Sequence, residues 1–272
     1  MTKEALQKIK LFLMDMDGTV YIGPQKIPGA FEALETLRRN GRRICFLTNN
    51  SSRSQDQYVE HIRRYDFEAS MDEVYTSALA TCGYLNKHHK GAKVFALAPP
   101  RVQAEMRRQG VDVIEGCPSD RADYPDVVVV AFDTTLTYDR LYAACRYINA
   151  GATYVATHPD NFCPALECNM PDMGGFIALI EKTLNKLPDV IVGKPYAPMA
   201  EAVSEKFGLS PDEIAMVGDR LYTDVRFGVD NGFAGILVLT GETDREMLAA
   251  SPIRPTLVLD TFADILDLLD LR

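Results

Sequence analysis

Leu11-Phe12-Leu13-Met14-Asp15-Met16-Asp17-Gly18-Thr19 is an apolar run that ends in two carboxylates, a glycine and a hydroxyl. Four consecutive apolar residues fit a strand covered on both faces, as in a parallel sheet, and Gly18 permits the tight exit that a Cβ resists. With the chain still extended, Asp15 and Asp17 fall on the same side. Two carboxylates held together resist joint ionisation unless a cation lies between them or one keeps a proton. A hard oxygen site suits Mg²⁺, and an ionised aspartate is a nucleophile that needs no activating base. An EF-hand loop starting at Asp15 is excluded, because its sixth and twelfth positions would be Val20 and Lys26 instead of glycine and glutamate.

The same sentence pattern recurs along the chain. Ile44-Cys45-Phe46-Leu47 runs into Thr48-Asn49-Asn50-Ser51-Ser52, Asp189-Val190-Ile191-Val192 into Gly193-Lys194-Pro195, and Ile214-Ala215-Met216-Val217 into Gly218-Asp219-Arg220, with Asp224 five residues beyond Asp219. Each is read as a buried strand ending in polar or charged groups. In open parallel sheets ligands bind at the carboxyl ends of strands, so four strands are expected to deliver Asp15 and Asp17, Thr48, Lys194 and Asp219 to one edge. Ser51, Ser52 and Ser54 read as a helix N-cap cluster. Gly235 to Leu239 and Thr256 to Leu259 supply closing strands, and Phe262 to Leu271 a last helix.

Between Ser77 and Lys186 the pattern changes to a second α/β unit. Lys93 to Ala98, Asp126 to Ala131 and Thr153 to Thr157 read as strands, separated by helices that include Arg101 to Arg108 and Tyr138 to Ala150, with Gly174 to Leu184 helical at the end. The expected organisation is a discontinuous doubly wound parallel-sheet core (1–76 and 187–272) carrying an inserted α/β domain (77–186).

With 272 residues the chain can bury a large core. Its net charge of −9, with no compensating basic run, argues against nucleic-acid or membrane-surface partners. No stretch approaches the roughly 20 apolar residues of a spanning helix, and no apolar leader is evident, so a cytoplasmic protein is expected. The six cysteines are scattered without a CxxC pair and read as reduced thiols. A zinc site from His158, Cys163 and Cys168 lacks paired-ligand spacing.

Two or three carboxylates, a lysine and a hydroxyl at one edge suit a phosphoryl group bound through Mg²⁺. Asp15 would attack phosphorus, and Asp17 would serve as the acid and base. Asp15 and Asp219, with the Asp17 backbone carbonyl, would hold the metal. Thr48 and Lys194 would clamp charge, and Asp224 would orient the cluster from behind. The strings DMDGT, LTNNS, GKP and GDRLYTD, in that order, resemble the four motifs of haloacid dehalogenase (HAD) superfamily phosphatases. DGTVYIGPQKIPGA, VYTSA and GILVLTGET resemble the NagD or 4-nitrophenylphosphatase-like subfamily. The resemblance implies a HAD Rossmann-like core with a C2-type cap and Asp15 as nucleophile. It also implies Asp15, Asp17 and Asp219 as metal ligands, Thr48, Asn49 and Lys194 as phosphate binders, and a homodimer.

The departures from the subfamily fall in the cap, at Ala98-Pro99-Pro100 and at Phe162 to Asn169. His158, Asp160 and Asn161 are the candidate substrate contacts there, weighed against an Asx-type turn that stabilises its own loop. The expected activity is hydrolysis of a small phosphate monoester of the nucleoside monophosphate, sugar phosphate or pyridoxal phosphate type. The alternatives are a phosphoryl-accepting or metabolite-binding protein without turnover, which would have no use for Asp17, and a phosphotransferase or mutase.

Overall fold

A computed structural model describes residues 1–164 and 167–271. Ala165 and Leu166, inside the cap stretch singled out above, lie outside the described residues. The chain divides into two compact units, Met1–Thr48 with Tyr58–Tyr75 and Lys194–Arg272, and Asn49–Gln57 with Thr76–Gly193.

The first unit is built on a six-stranded sheet in the order Leu257–Leu259, Ala234–Val238, Ile214–Gly218, Leu11–Met14, Arg43–Thr48, Val74–Thr76. Leu11–Met14 is buried at every position and pairs in parallel with both neighbours, Phe12 lying opposite Ile44 on one side and Ala215 on the other. Burying such side chains stabilises by about 1.5–3 kcal/mol each, which explains why the run is apolar without alternation. From this strand the chain builds outward on one side, then returns to build the other. The order of winding therefore reverses between Leu11–Met14 and Ile214–Gly218, the place where such sheets open a crevice at their carboxyl edge. The helix Ala30–Arg39 covers the sheet with Phe31, Leu34 and Leu37. It stops at Asn40 and Gly41, where Gly41 takes φ +76°.

The second unit has its own five-stranded parallel sheet in the order Val190–Ile191, Thr153–Ala156, Val127–Val130, Lys93–Leu97, Asp112–Val113. Helices Ser77–His88, Pro100–Arg108, Tyr138–Ala150 and Met173–Leu184 accompany it, and Phe162–Cys163 and Met170–Pro171 form a short antiparallel ladder.

Four details depart from the reading of the sequence. Val190–Ile191 is an edge strand of the second sheet, with Val190 opposite Val155, and Gly193 N–H donates to the Thr157 carbonyl at 2.8 Å. An apolar run ending in glycine and lysine has the same pattern in either sheet, so only its partner distinguishes them. Second, Asn49–Gln57 belongs to the second unit. Its anchors there are the Ser51 and Thr157 hydroxyls 2.9 Å apart, the Phe132 N–H donating to Ser51 Oγ at 2.9 Å, and the Gln55 N–H donating to Glu105 Oε1 at 2.8 Å. Ser51 is thus bound to that sheet instead of capping a helix. Third, Val74–Thr76 is a short core strand, and fourth, the C-terminal helix is a 3-10 turn followed by Ile265–Leu268.

Candidate active site

The acidic edge of the first unit is assembled from three strand ends and one incoming loop. Asp15 follows Leu11–Met14 directly, and its N–H still donates to the Val217 carbonyl at 2.8 Å, so the strand holds it in line. Asp219 follows Ile214–Gly218. Thr48 is the last residue of Arg43–Thr48 and is buried. Lys194 arrives from the second sheet's edge strand, not from a strand of this sheet.

Lys194 is the hub. Its side chain is only 2 % exposed, and the ammonium donates to Asp15 Oδ1 at 2.7 Å, Asp224 Oδ1 at 2.7 Å and the Leu47 carbonyl at 3.1 Å. Burial alone would lower the lysine pKa, but the charges of Asp15 and Asp224 outweigh it and raise the value. The carboxylates show the opposite balance. Burial first, and then the Asp15 charge, raises Asp219. Burial also raises Asp224 against the pull of Lys194. Asp17 is more open to solvent, yet desolvation of its carboxyl and the neighbouring Asp15 charge raise its pKa as well. A proton on Asp17 is therefore easier to keep than on a free aspartate.

Asp15, Asp219 and Asp224 bring carboxylate oxygens within 4.8 Å of one another, the spacing of a shared cation. The Asp17 side chain is not part of this group; Asp224, expected behind it, is. Asp219 Oδ2 accepts the Glu242 N–H at 2.7 Å, while its buried Oδ1 has no donor among the described residues. A buried carboxylate oxygen left over in an all-oxygen cluster fits a hard divalent ion such as Mg²⁺.

Three glycines make room for these carboxylates. A Cβ on Gly241 would lie 2.1 Å from Asp219 Oδ2, one on Gly18 2.4 Å from the same oxygen, and one on Gly218 2.3 Å from Asp224 Cγ. Gly18 also has φ +82°, which glycine adopts without strain. The sequence reading assigned the turn at Gly18 but gave Gly241 no role, although it lies in the quoted string GILVLTGET, because that role depends on a contact across 22 positions.

In the second unit, Asn49 Nδ2 donates to Asp160 Oδ1 at 3.0 Å. His158 is fully buried, with Nδ1 3.6 Å from Asp160 Oδ2 and Nε2 3.5 Å from Asp172 Oδ1. Burial pushes Asp172 up to about 6, with His158 opposing. His158 therefore faces two carboxylates of its own unit and exposes no atom to a ligand, which favours the loop-stabilising reading for it. Asn161 is exposed and lies against Gly174, where a Cβ would meet its Oδ1 at 2.2 Å.

Two family models match, a haloacid dehalogenase-like hydrolase over residues 12–112 and a HAD-hydrolase-like model over residues 191–265. A 4-nitrophenylphosphatase structure from Thermotoga maritima is similar at 40 % identity and a TM-score of 0.90, covering 97 % of this chain and 99 % of that one. An acid sugar phosphatase of Staphylococcus aureus is 31 % identical over 92 % of this chain and 94 % of its own length. The 5'-nucleotidase YutF of Bacillus subtilis is 29 % identical over 95 % and 98 %. With the switch-point aspartates and the buried lysine on a matching fold, the chain belongs to the haloacid dehalogenase-like hydrolases, among the phosphatases of the NagD and 4-nitrophenylphosphatase type.

Proposed function

We propose that this protein hydrolyses small phosphate monoesters through an aspartyl-phosphate on Asp15. The observation that carries the reading is the Lys194 ammonium bridging Asp15 and Asp224 beside the orphaned Asp219 Oδ1. With Lys194 holding Oδ1, Asp15 attacks phosphorus through Oδ2, and the bond from phosphorus to the leaving oxygen breaks. Asp17, protonated, gives its proton to that oxygen. Water then attacks the phosphorus of the acyl phosphate, Asp17 takes the proton back, and inorganic phosphate leaves with Asp15 restored. Mg²⁺, held by Asp15, Asp219 and Asp224 or the Asp17 carbonyl, would offset the repulsion between the anionic nucleophile and the anionic phosphate. Thr48 and Lys194 are the phosphate-facing groups of the first unit. Asn49, engaged with Asp160, fixes the segment that follows Thr48.

We take the first unit as the catalytic core and the second as its cap. The names of the relatives point to nucleotides and sugar phosphates as the substrate class. All six cysteines are free, Cys45, Cys82 and Cys145 within buried surroundings, which supports a reducing compartment such as the cytoplasm.

The reading is tested by assaying phosphate release from a panel of phosphorylated metabolites and p-nitrophenyl phosphate, with Mg²⁺ and with EDTA. Turnover of a few compounds, abolished by EDTA, is expected. Release that is equal with EDTA, or no release from any compound, refutes it.

A smaller substitution probes the metal pocket. Gly241→Ala drives a methyl into Asp219, whose Oδ2 is tied to the next residue's N–H. The expected result is an Mg²⁺ requirement raised by about tenfold or more, corresponding to roughly 1.4 kcal/mol, with the fold intact by circular dichroism. An unchanged Mg²⁺ titration would show that Asp219 moves aside freely.

A further inference from the structure

Asp15, Asp17, Asp219 and Asp224 gather at one sheet edge, and two cations face them. One is Lys194, whose ammonium donates to Asp15, Asp224 and the Leu47 carbonyl. The second cation is Arg220, to which the sequence reading gave no role. Its backbone N–H donates to Asp224 Oδ2 at 3.3 Å, and its side chain is 21 % exposed, so it is covered without being sealed. Nε lies 3.0 Å from Glu242 Oε2, and the Tyr222 hydroxyl donates to the same oxygen at 3.2 Å. Glu242 in turn gives its N–H to Asp219 Oδ2. One residue thus fixes a carboxylate of the metal cluster with its backbone and a guanidinium beside it with its side chain.

Among the charges that act on Arg220, Asp15 is the strongest, and Arg220 in turn acts on Asp17. A partly exposed ion pair such as Arg220 with Glu242 contributes little to stability, too little to explain a guanidinium placed among four aspartates. Nε meets Glu242 as an ion pair without hydrogen-bond geometry, and the guanidinium also carries the Nη1 and Nη2 fork. That planar fork matches two oxygens of a phosphate, a geometry lysine lacks.

We propose that Arg220 is an anion contact of this site, its guanidinium binding non-bridging oxygens of the phosphate ester, with Glu242 and Tyr222 as the positioning residues that hold it. The proposal rests on the phosphatase reading and adds a group to it.

The test measures inorganic phosphate binding by calorimetry in the presence of Mg²⁺, Mg²⁺ binding alone, and KM and kcat on p-nitrophenyl phosphate. Wild type is compared with Arg220→Gln, Arg220→Lys, Glu242→Gln and Asp15→Asn. For Arg220→Gln, phosphate affinity falls and KM rises by about tenfold or more, as expected for losing a charge-assisted hydrogen bond. Its kcat changes by less than about threefold, and Mg²⁺ binding is not weakened, since a positive charge has left the neighbourhood. Arg220→Lys recovers part of the loss, and Glu242→Gln shows a smaller change in the same direction. Phosphate affinity and KM within about twofold of wild type in Arg220→Gln overturn the proposal. So does a loss confined to kcat, or a loss of Mg²⁺ binding, either of which would mark a support of the aspartates. If Arg220→Gln does not fold, wild-type phosphate affinity in both Arg220→Lys and Glu242→Gln overturns it. Undiminished turnover by Asp15→Asn would refute the phosphatase mechanism itself, and the phosphate calorimetry would still report on Arg220.

Discussion

Asp15→Asn is expected to abolish phosphate release, with kcat lowered by at least about 10⁴-fold, because on the proposed mechanism it removes the nucleophile and with it the covalent route. The substitution is nearly isosteric, so the strand bond from residue 15 to the Val217 carbonyl survives and the fold is retained. Lys194 would then face an amide on one side and Asp224 on the other. Substrate should still bind, and calorimetry with p-nitrophenyl phosphate and Mg²⁺ would detect it. Turnover within tenfold of wild type would remove Asp15 from the mechanism, whatever the fate of the other residues.

Lys194→Met carries the second large effect, and here stability and activity fall together. Methionine fills much of the lysine volume but leaves the Asp15 and Asp224 carboxylates facing each other without their shared cation. Breaking a buried ionic group by removing one partner costs about 3–5 kcal/mol, and a fall in Tm of roughly 10 °C follows for a chain of this size. Measured without metal, the deficit should shrink as pH falls. Burial already raises Asp224, and losing Lys194 removes the charge that opposes this. The folded variant therefore holds protons more tightly than its unfolded chain, and its stability declines as pH rises above the ordinary carboxylate range. A Tm equal to that of wild type at neutral pH would show that the lysine is dispensable to the fold. An enzyme that keeps wild-type kcat would show it dispensable to the chemistry.

Much of the site was legible because its residues interrupt apolar strands. Asp15 and Asp219 stand at the ends of runs that read as covered parallel strands, and Thr48 ends a third. Lys194 was legible as a residue but not as a placement: Asp189 to Val192 has the composition of a strand in either sheet, and its hydrogen bonds to Thr153–Ala156 are decided by tertiary pairing. The same limit hid the allegiance of Asn49–Gln57. A polar stretch before a helix reads as a cap, whereas Ser51 and Gln55 spend their groups on Thr157, Phe132 and Glu105. Arg220, Glu242 and Gly241 lie inside the strings GDRLYTD and GILVLTGET, yet nothing in those strings gave the three residues a role. An arginine after an aspartate, a glutamate in a turn and a glycine beside it are ordinary in any exposed loop, and only the approach of the 241–242 turn to Asp219 gives them meaning. His158 marks the reverse case, in which a turn rich in polar groups suggested a ligand contact and burial between Asp160 and Asp172 explains the residue instead.

The outermost strands of the two sheets are all short. Leu257–Leu259 and Val74–Thr76 have three residues each, and Val190–Ile191 and Asp112–Val113 have two. A strand border is where a neighbouring molecule can add its own backbone and start an insoluble stack, and the hazard grows with the length of unsatisfied ladder on offer. Here every border offers less than the five or six residues of a typical strand. The fully buried apolar strands Leu11–Met14 and Val127–Val130 are each flanked on both sides. A neighbouring chain therefore finds only two or three residues of open ladder at any border of these two sheets, while the apolar strands at their centres are already paired on both sides.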